Sequence, residues 1–370
     1  MTQDKDILKI GIVAGEHSGD LLGYELLKEL TKTSNIKLYG VGGPKIESLG
    51  LSSVFNFKNL QIMGLIDPLI NYKKLTKGRK KLIQVFIDNE IDIFIGVDSP
   101  DFNIGIHKAL NKKKLCKNIQ LVSPSVWGWR QNRIKSIKKY IDHTICLFNF
   151  EHEFYSNKGL SSSHLGHPFS ELNVESRDYV IEKYSLEEKR SYISILPGSR
   201  ESEINHMMPI YKDYMKLQLK SDKDSFFLIP TSDSSSQKNI EKHLNSSHLP
   251  FLIKQNSVRD FLSISDKSVV TSGTASLEAA VLNANPIICY KTSFLNYAII
   301  SRMLKIDFIG LPNLLLKKER FPELIQRDCT SESILNTIEN YQAGQYSDDL
   351  KLLLKGDGFE VTALKILDLN

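Results

Sequence analysis

Residues 7–32, ILKIGIVAGEHSGDLLGYELLKELTK, decide the fold class. The apolar, β-branched run Ile7–Val13 predicts a strand, and the polar turn Ala14–Asp20 breaks it. Leu21–Lys32 then carries its apolar residues at helical spacing. The same unit recurs along the first half, with predicted strands Lys37–Val41, Ile91–Val97, Ile119–Val122 and His143–Leu147. Amphipathic stretches Tyr72–Asp88 and Arg130–Tyr140 lie between them. After a polar, Ser-rich segment near residues 160–177 the pattern restarts, with strands Tyr192–Leu196, Phe226–Pro230, Phe251–Ile253, Ser268–Thr271 and Pro286–Tyr290. Strand–helix alternation of this kind predicts parallel α/β sheets. The expected architecture is two doubly wound, Rossmann-like domains, 1–168 and 169–345. A last helix pattern, Ser347–Leu369, is expected to return residues 346–370 to the first domain. Ligands of such sheets sit at the carboxyl ends of the strands.

The 370 residues suit two domains, and 41% hydrophobic with 25% charged residues excludes disordered and fibrous classes. The net charge of +5 is unevenly spread. Residues 1–150 hold 23 Lys and Arg against 14 Asp and Glu, a net of +9, whereas residues 151–370 carry −4. Cys116, Cys146, Cys289 and Cys329 show no CxxC spacing and read as buried thiols of a reducing compartment. No signal-peptide pattern opens the chain, and no apolar run approaches the roughly 20 residues of a membrane span. The expected location is the cytoplasm.

Neither GxGxxG after a strand nor GxxxxGK[ST] is present, so the usual dinucleotide and P-loop cradles are missing. The first turn, Gly15-Glu16-His17-Ser18-Gly19-Asp20, offers main-chain N–H groups, with Ser18 or Asp20 able to cap the helix that follows. Asp98 is the first polar residue after the third strand. A carboxylate there can serve as general base to a hydroxyl group or simply close the strand. Asp101, just beyond it, reads as a helix N-cap. The loop after the fourth strand carries both tryptophans, Trp127 and Trp129, as a sugar-stacking wall or as a packing plug. In the second half, Gly198-Ser199-Arg200 and Ser272-Gly273-Thr274 each follow a strand. Both suit an anion, Arg200 through its charged fork and the second loop through a helix N-terminus. Two such cradles in one domain point to a nucleoside diphosphate, with Glu278 one helical turn on for ribose hydroxyls. The strings Asp4-Lys5-Asp6 and Asp222-Lys223-Asp224 follow no strand and read as solvated turns. No metal and no cofactor are expected.

Residues 71–87 hold Lys73, Lys74, Lys77, Arg79, Lys80 and Lys81 and no acid. Leu75, Leu82, Ile83 and Phe86 lie among them, and Phe55, Phe57, Leu60, Ile62 and Met63 lie just upstream. A basic helix with an apolar flank suits an anionic membrane surface, the plainer reading being a solvated lysine face. Interleaved aromatic platforms for nucleic acid are sparse, so none is expected as a partner.

The strings GEHSGD, GVGGPKIESLG, IMGLIDPL, GVDSPDFN, VSPSVWGWRQNRI, LGHPF, LPGSR, TSGTASLEA and GLPNLLL occur, in this order, in the lipid-A-disaccharide synthase family, which the chain resembles from about residue 10 to residue 330. The resemblance implies a GT-B glycosyltransferase of lipopolysaccharide synthesis in a Gram-negative bacterium. Its donor would be UDP-2,3-diacylglucosamine and its acceptor 2,3-diacylglucosamine 1-phosphate (lipid X), with the β-1,6 disaccharide 1-phosphate and UDP as products. By the same resemblance Asp98 is the base, Arg200 meets the donor diphosphate, and Glu278 meets the UDP ribose. Asn313, Glu323 and Gln326 fall near the donor. Gly15, Glu16, Ser18, Gly19, Asp20, Met63 and Trp127 fall at the acceptor cleft. The family implies an enzyme peripheral to the inner face of the cytoplasmic membrane, and a homodimer formed by exchange of C-terminal parts. Two departures stand out: Lys291, where Arg is frequent, and Lys317-Lys318-Glu319, where Gly-Arg-Glu is common. A UDP-sugar epimerase and a non-enzymatic lipid or nucleotide carrier are the competing readings.

Overall fold

Leu8–Ala14 is strand β1 because, Lys9 near its start apart, its residues are apolar toward both faces, as burial between two helical layers demands. The computed structural model describes residues 7–60, 72–128, 131–245, 247–293, 307–342 and 344–369. Among these, two parallel six-stranded sheets form. The first contains β1, β2 (Ile36–Val41), β3 (Ile93–Val97), β4 (Lys117–Leu121), β5 (His143–Cys146) and β6 (Ser162–His164), in the order β2-β1-β3-β4-β5-β6. The second contains β7 (Ser191–Leu196), β8 (Ser225–Thr231), β9 (Phe251–Gln255), β10 (Lys267–Thr271), β11 (Pro286–Tyr290) and β12 (Glu323–Ile325), in the order β12-β11-β10-β7-β8-β9. The chain divides into two units, Met1–His167 with Leu354–Asn370, and Pro168–Leu353. No helix among the described residues is long and apolar enough to cross a membrane.

Each sheet carries a helix-covered core. In the first unit Val13, Phe94 and Ile106 pack with Leu82 and Phe86 of the Tyr72–Asp88 helix. In the second, Met207, Tyr211 and Met215 of the Glu201–Ser221 helix pack on Phe227, Val269 and Ile287. Cys289 and Cys329, 40 residues apart in sequence, meet there as buried, hydrogen-bonded thiols.

Two strands escape the hydrophobic pattern. β6 lies inside the polar, Ser-rich segment near residues 160–177, and its serines are satisfied by histidines. Ser163 Oγ lies 3.0 Å from His143 Nε2, and Ser162 Oγ lies 2.9 Å from His152 Nδ1. β12 has only three residues, too few for a periodic signal. The final helical pattern is also two helices rather than one. Ser347–Leu354 lies in the second unit up to Leu353 and is held at its start by a 2.5 Å bond from Ser347 Oγ to the Val281 carbonyl. Gly358–Leu369 packs on the His17–Thr33 helix of the first.

The break between them is a close main-chain approach. His167 N–H donates to Leu354 O, Asp357 N–H to His164 O and Gly358 N–H to Leu165 O, each at 2.9 Å. Gly166 lies at φ +89°, and a Cβ on Gly356 would fall 2.3 Å from Gly166 N and 2.5 Å from the Leu165 carbonyl carbon. Because those neighbours are backbone, they cannot rotate away. Gly356→Ala is expected to lower stability by about 2–4 kcal/mol, read as a fall in Tm of about 5 °C or more.

Candidate active site at the strand carboxyl ends

In the first sheet the order reverses at β1, so the loops after β1 and β3 open side by side at the switch point. Gly15 makes this contact close: a Cβ there would meet Leu60 Cβ at 2.8 Å and Ser99 Oγ at 3.2 Å. The helix begins at His17, following Glu16 in the N-cap position, so neither Ser18 nor Asp20 caps it. Ser18 is exposed and Gly19 is buried. Asp20 is buried and accepts from the N–H groups of Gly43 (2.8 Å), Lys45 (2.9 Å) and Ile46 (3.1 Å). Its carboxylate caps the short Pro44–Glu47 helix instead, which corrects its reading as a cap of the helix that follows it in sequence.

The end of β3 is unusual. Asp98 and Ser99 are consecutive left-handed residues, at φ +49° and +40°. Ser99, not Asp101, occupies the N-cap position of the Pro100–Lys113 helix. Each non-glycine residue in this region costs about 1–2 kcal/mol, so the surroundings must hold them there. Asp98 N–H donates to Leu121 O at 2.8 Å, and Asp98 O accepts from Asn103 Nδ2 at 2.8 Å and Gln120 Nε2 at 3.0 Å. Gln120 Nε2 also donates to Leu121 O and Val122 O, each at 3.2 Å. Val122 is itself at φ +71°, a rare conformation for a β-branched residue. One buried amide therefore binds the ends of both β3 and β4. Asp98 is half-buried at this edge.

After β4, Trp127 is half-buried, with Nε1 donating to Glu151 Oε1 at 3.1 Å and its ring edge-on to Phe150. Burial pushes the Glu151 carboxyl up to about 8, although the Trp127 N–H pulls it down. Of the two readings of this loop, the described geometry matches packing. Met63 and Trp129 lie outside the described residues.

In the second sheet β7 and β10 are neighbours, and the two expected anion loops open side by side. Gly198, at φ +101°, has no room for a Cβ, which would lie 2.5 Å from Glu203 Oε2. Glu203, which the sequence reading passed over, accepts from Ser199 N–H (3.3 Å) and Arg200 N–H (3.4 Å), and its other oxygen takes Arg200 Nη1 at 2.8 Å. The Arg-x-x-Glu spacing from N-cap to third helical position was the available signal. Gly273 and Thr274 are exposed, Ser272 is half-buried, and Thr274 opens the Thr274–Val281 helix. Glu278 accepts from Arg259 Nε at 3.1 Å, another partner the sequence did not reveal.

Three expected donor residues prove to be braces. Asn313 is buried, with Nδ2 donating to Phe321 O (2.7 Å) and Glu323 Oε1 (2.8 Å), and Oδ1 accepting from the N–H groups of Arg320 and Phe321. Glu323 accepts from the Ile309 and Gly310 N–H groups at 2.9 and 3.0 Å. Gln326 accepts from Thr292 N–H at 2.9 Å. These side chains shape the loops around β11 and β12. The turn after Asn313 persists without glycine, Lys317 taking the left-handed position at φ +53°.

The basic stretch is mixed in function. Lys77, Lys80 and Lys81 are exposed, and the side chains of Lys73 and Lys74 lie outside the described residues. Arg79 is corrected from surface to packing. It lies over the Phe102 ring at 5.1 Å and donates from Nη2 to Asp101 O at 3.1 Å. A cavity of about 200 Å³ lies here, lined by Phe55, Leu60, Leu75, Gly78 and Phe102 between Lys77 and Lys81.

The family model for lipid-A-disaccharide synthetase matches residues 10–352. Lipid-A-disaccharide synthase 2 of Legionella pneumophila is 36% identical over 372 residues, covering 97% of this chain and 96% of that protein. The lipid-A-disaccharide synthase of Acinetobacter baylyi is 36% identical over 346 residues, covering 90% and 87%. Among solved structures, the UDP-GlcNAc 2-epimerase of Neisseria meningitidis bound to UDP-GlcNAc aligns at a TM-score of 0.61 with 15% identity, covering 98% and 99%, a likeness of fold alone. With two parallel Rossmann-like sheets and a family match over nearly its whole length, the chain belongs to the lipid-A-disaccharide synthases, glycosyltransferases of the GT-B fold that serve lipid A biosynthesis.

Proposed function

We propose that this enzyme transfers 2,3-diacylglucosamine from UDP-2,3-diacylglucosamine to the 6-hydroxyl of 2,3-diacylglucosamine 1-phosphate, with inversion. The observation that carries the reading is Asp98, held by its own main chain at the switch-point edge of the first sheet. Its carboxylate takes the proton from O6 as O6 forms the new bond to the anomeric carbon. The anomeric C–O bond to the diphosphate breaks, and its electron pair leaves with UDP. Arg200, oriented through Nη1 by Glu203, and the N–H groups of Gly273 and Thr274 receive that charge, the Ser272 N–H being taken by Cys289 O at 2.9 Å. Glu278 serves the ribose, positioned by Arg259.

The substrates' acyl chains need an apolar seat, and the Phe55–Phe102 cavity between two lysines supplies one beside an exposed basic helix face. That supports docking on the anionic inner face of the cytoplasmic membrane.

Three outcomes are expected. UDP release requires both donor and acceptor, and Asp98→Asn lowers kcat at least about 100-fold with the fold intact. A loss within a few-fold would remove Asp98 as base, and isomerisation of UDP-N-acetylglucosamine alone would favour an epimerase. By calorimetry, Arg200→Ala weakens UDP binding by roughly 10- to 100-fold, since a charged hydrogen-bond donor is lost. In liposome flotation, a Lys77→Glu, Lys80→Glu, Lys81→Glu variant loses salt-sensitive binding to anionic vesicles. Arg79 is left in place because it packs on Phe102.

A further inference from the structure

Behind the Asp98 turn lies a buried polar cluster that the proposed chemistry does not use. His107, in the Pro100–Lys113 helix, is fully buried, with Nε2 3.1 Å from Gln120 Oε1 and Nδ1 3.1 Å from Asn118 Oδ1. Its ring stands edge-on to Phe94 at 4.8 Å. Gly96 makes the room: a Cβ there would lie 3.0 Å from each of Asn103 Cβ, Gln120 Oε1 and His107 Nε2. We propose that His107 is a positioning residue for Asp98, acting through Gln120 to lock the two left-handed strand ends that present the site.

The orientation of Gln120 is decided by its three carbonyl partners. Asp98 O, Leu121 O and Val122 O all take its Nε2, so Oε1 must face His107. Facing Oε1, His107 donates from Nε2, and its neutral Nδ1 accepts once the Asn118 amide is turned to present Nδ2, giving up that amide's single 3.2 Å bond to Cys116 O. Without that donor, Oε1 would be a buried acceptor lacking its partner. Turning the amide to recover a bond would place its oxygen against three carbonyl oxygens. Asp98 and Ser99 would then be free to relax from φ +49° and +40° toward ordinary values, swinging the carboxylate out of line. Asn103 adds a second amide to Asp98 O, so the fold survives while the aim is lost. Burial keeps the ring neutral, lowering its pKa to about 4, so its part is to donate a hydrogen bond and not to ferry protons.

The proposal rests on Asp98 being the base, and its test separates the two. His107→Phe keeps the ring and its packing on Phe94 but removes the donor. The expected result is a kcat lower by about 10- to 100-fold, with both KM values, UDP affinity and Tm close to wild type. His107→Gln, which retains an N–H, recovers a substantial part of the loss. In the Asp98→Asn background, His107→Phe adds less than about two-fold, because the group it aims is gone. Full kcat in His107→Phe, or an undiminished effect on top of Asp98→Asn, overturns the positioning role while leaving the base intact. An active Asp98→Asn enzyme overturns the base reading, and with it this one. Should His107→Phe not fold, ¹⁵N NMR of the wild-type enzyme decides: a neutral ring protonated on Nε2 at pH 7 is required, and the Nδ1 tautomer or an imidazolium refutes the proposal.

Discussion

The carboxamide of Gln120 is the smallest part on which the site depends. Three carbonyl oxygens converge on its nitrogen, two from the end of β4 and one from the end of β3. Those strand ends hold three non-glycine residues in left-handed backbone, Asp98, Ser99 and Val122. Such backbone persists only where hydrogen bonds outweigh the strain. The amide works because it is buried, where a lost hydrogen bond is not replaced by water. A polar cluster inside a sheet thus rigidifies the one edge where chemistry is expected.

A second regularity joins the two units. Main-chain N–H groups at the strand edges are taken up by the protein's own carboxylates: Asp20 on Gly43, Lys45 and Ile46, Glu203 on Ser199 and Arg200, and Glu323 on Ile309 and Gly310. Asp20 and Glu323 fix loop shape, most of their partners (Gly43, Ile46, Ile309 and Gly310) being buried or half-buried. Glu203 differs, since its partners Ser199 and Arg200 are exposed and it answers an anion cradle with an anion. The charge imbalance between the two halves takes on a local meaning here. In the first unit exposed Lys77 and Lys81 flank an apolar cavity, whereas the second unit ties Arg200 and Arg259 to Glu203 and Glu278.

Much of the fold was legible in the residues. Ten of the twelve strands among the described residues follow apolar, β-branched runs, and the Tyr72–Asp88 helix has the bounds its periodicity predicts. The exceptions have physical causes: β6 is polar because its serines are bonded to histidines, and β12 is too short for any period to register. The helical run from Ser347 hid a break at Gly356 that local spacing does not announce. It comes from a distant backbone passing within contact distance.

The candidate site was legible as a set of strand-end positions, and the partners of its side chains were not. Strand ends alone put Asp98, Arg200 and the Ser272–Thr274 turn at the ligand edge, because a parallel sheet gathers its functional loops at the carboxyl ends whatever the side chains around them. What each polar group touches is a matter of long-range approach. Asp20 reaches a helix more than twenty residues away, Asn313 closes on the turn at Phe321, and Arg79 lies against Phe102 instead of water. His107 and Gln120 sat unremarked in an apolar helix and strand, since one-dimensional spacing cannot show that two amides and a ring meet behind Asp98. Sequence by itself determined the sheets, the edge and the family, all of which follow from local periodicity and motif order. Tertiary structure alone decided which polar groups are consumed in holding the loops, because hydrogen-bond partners are chosen in three dimensions.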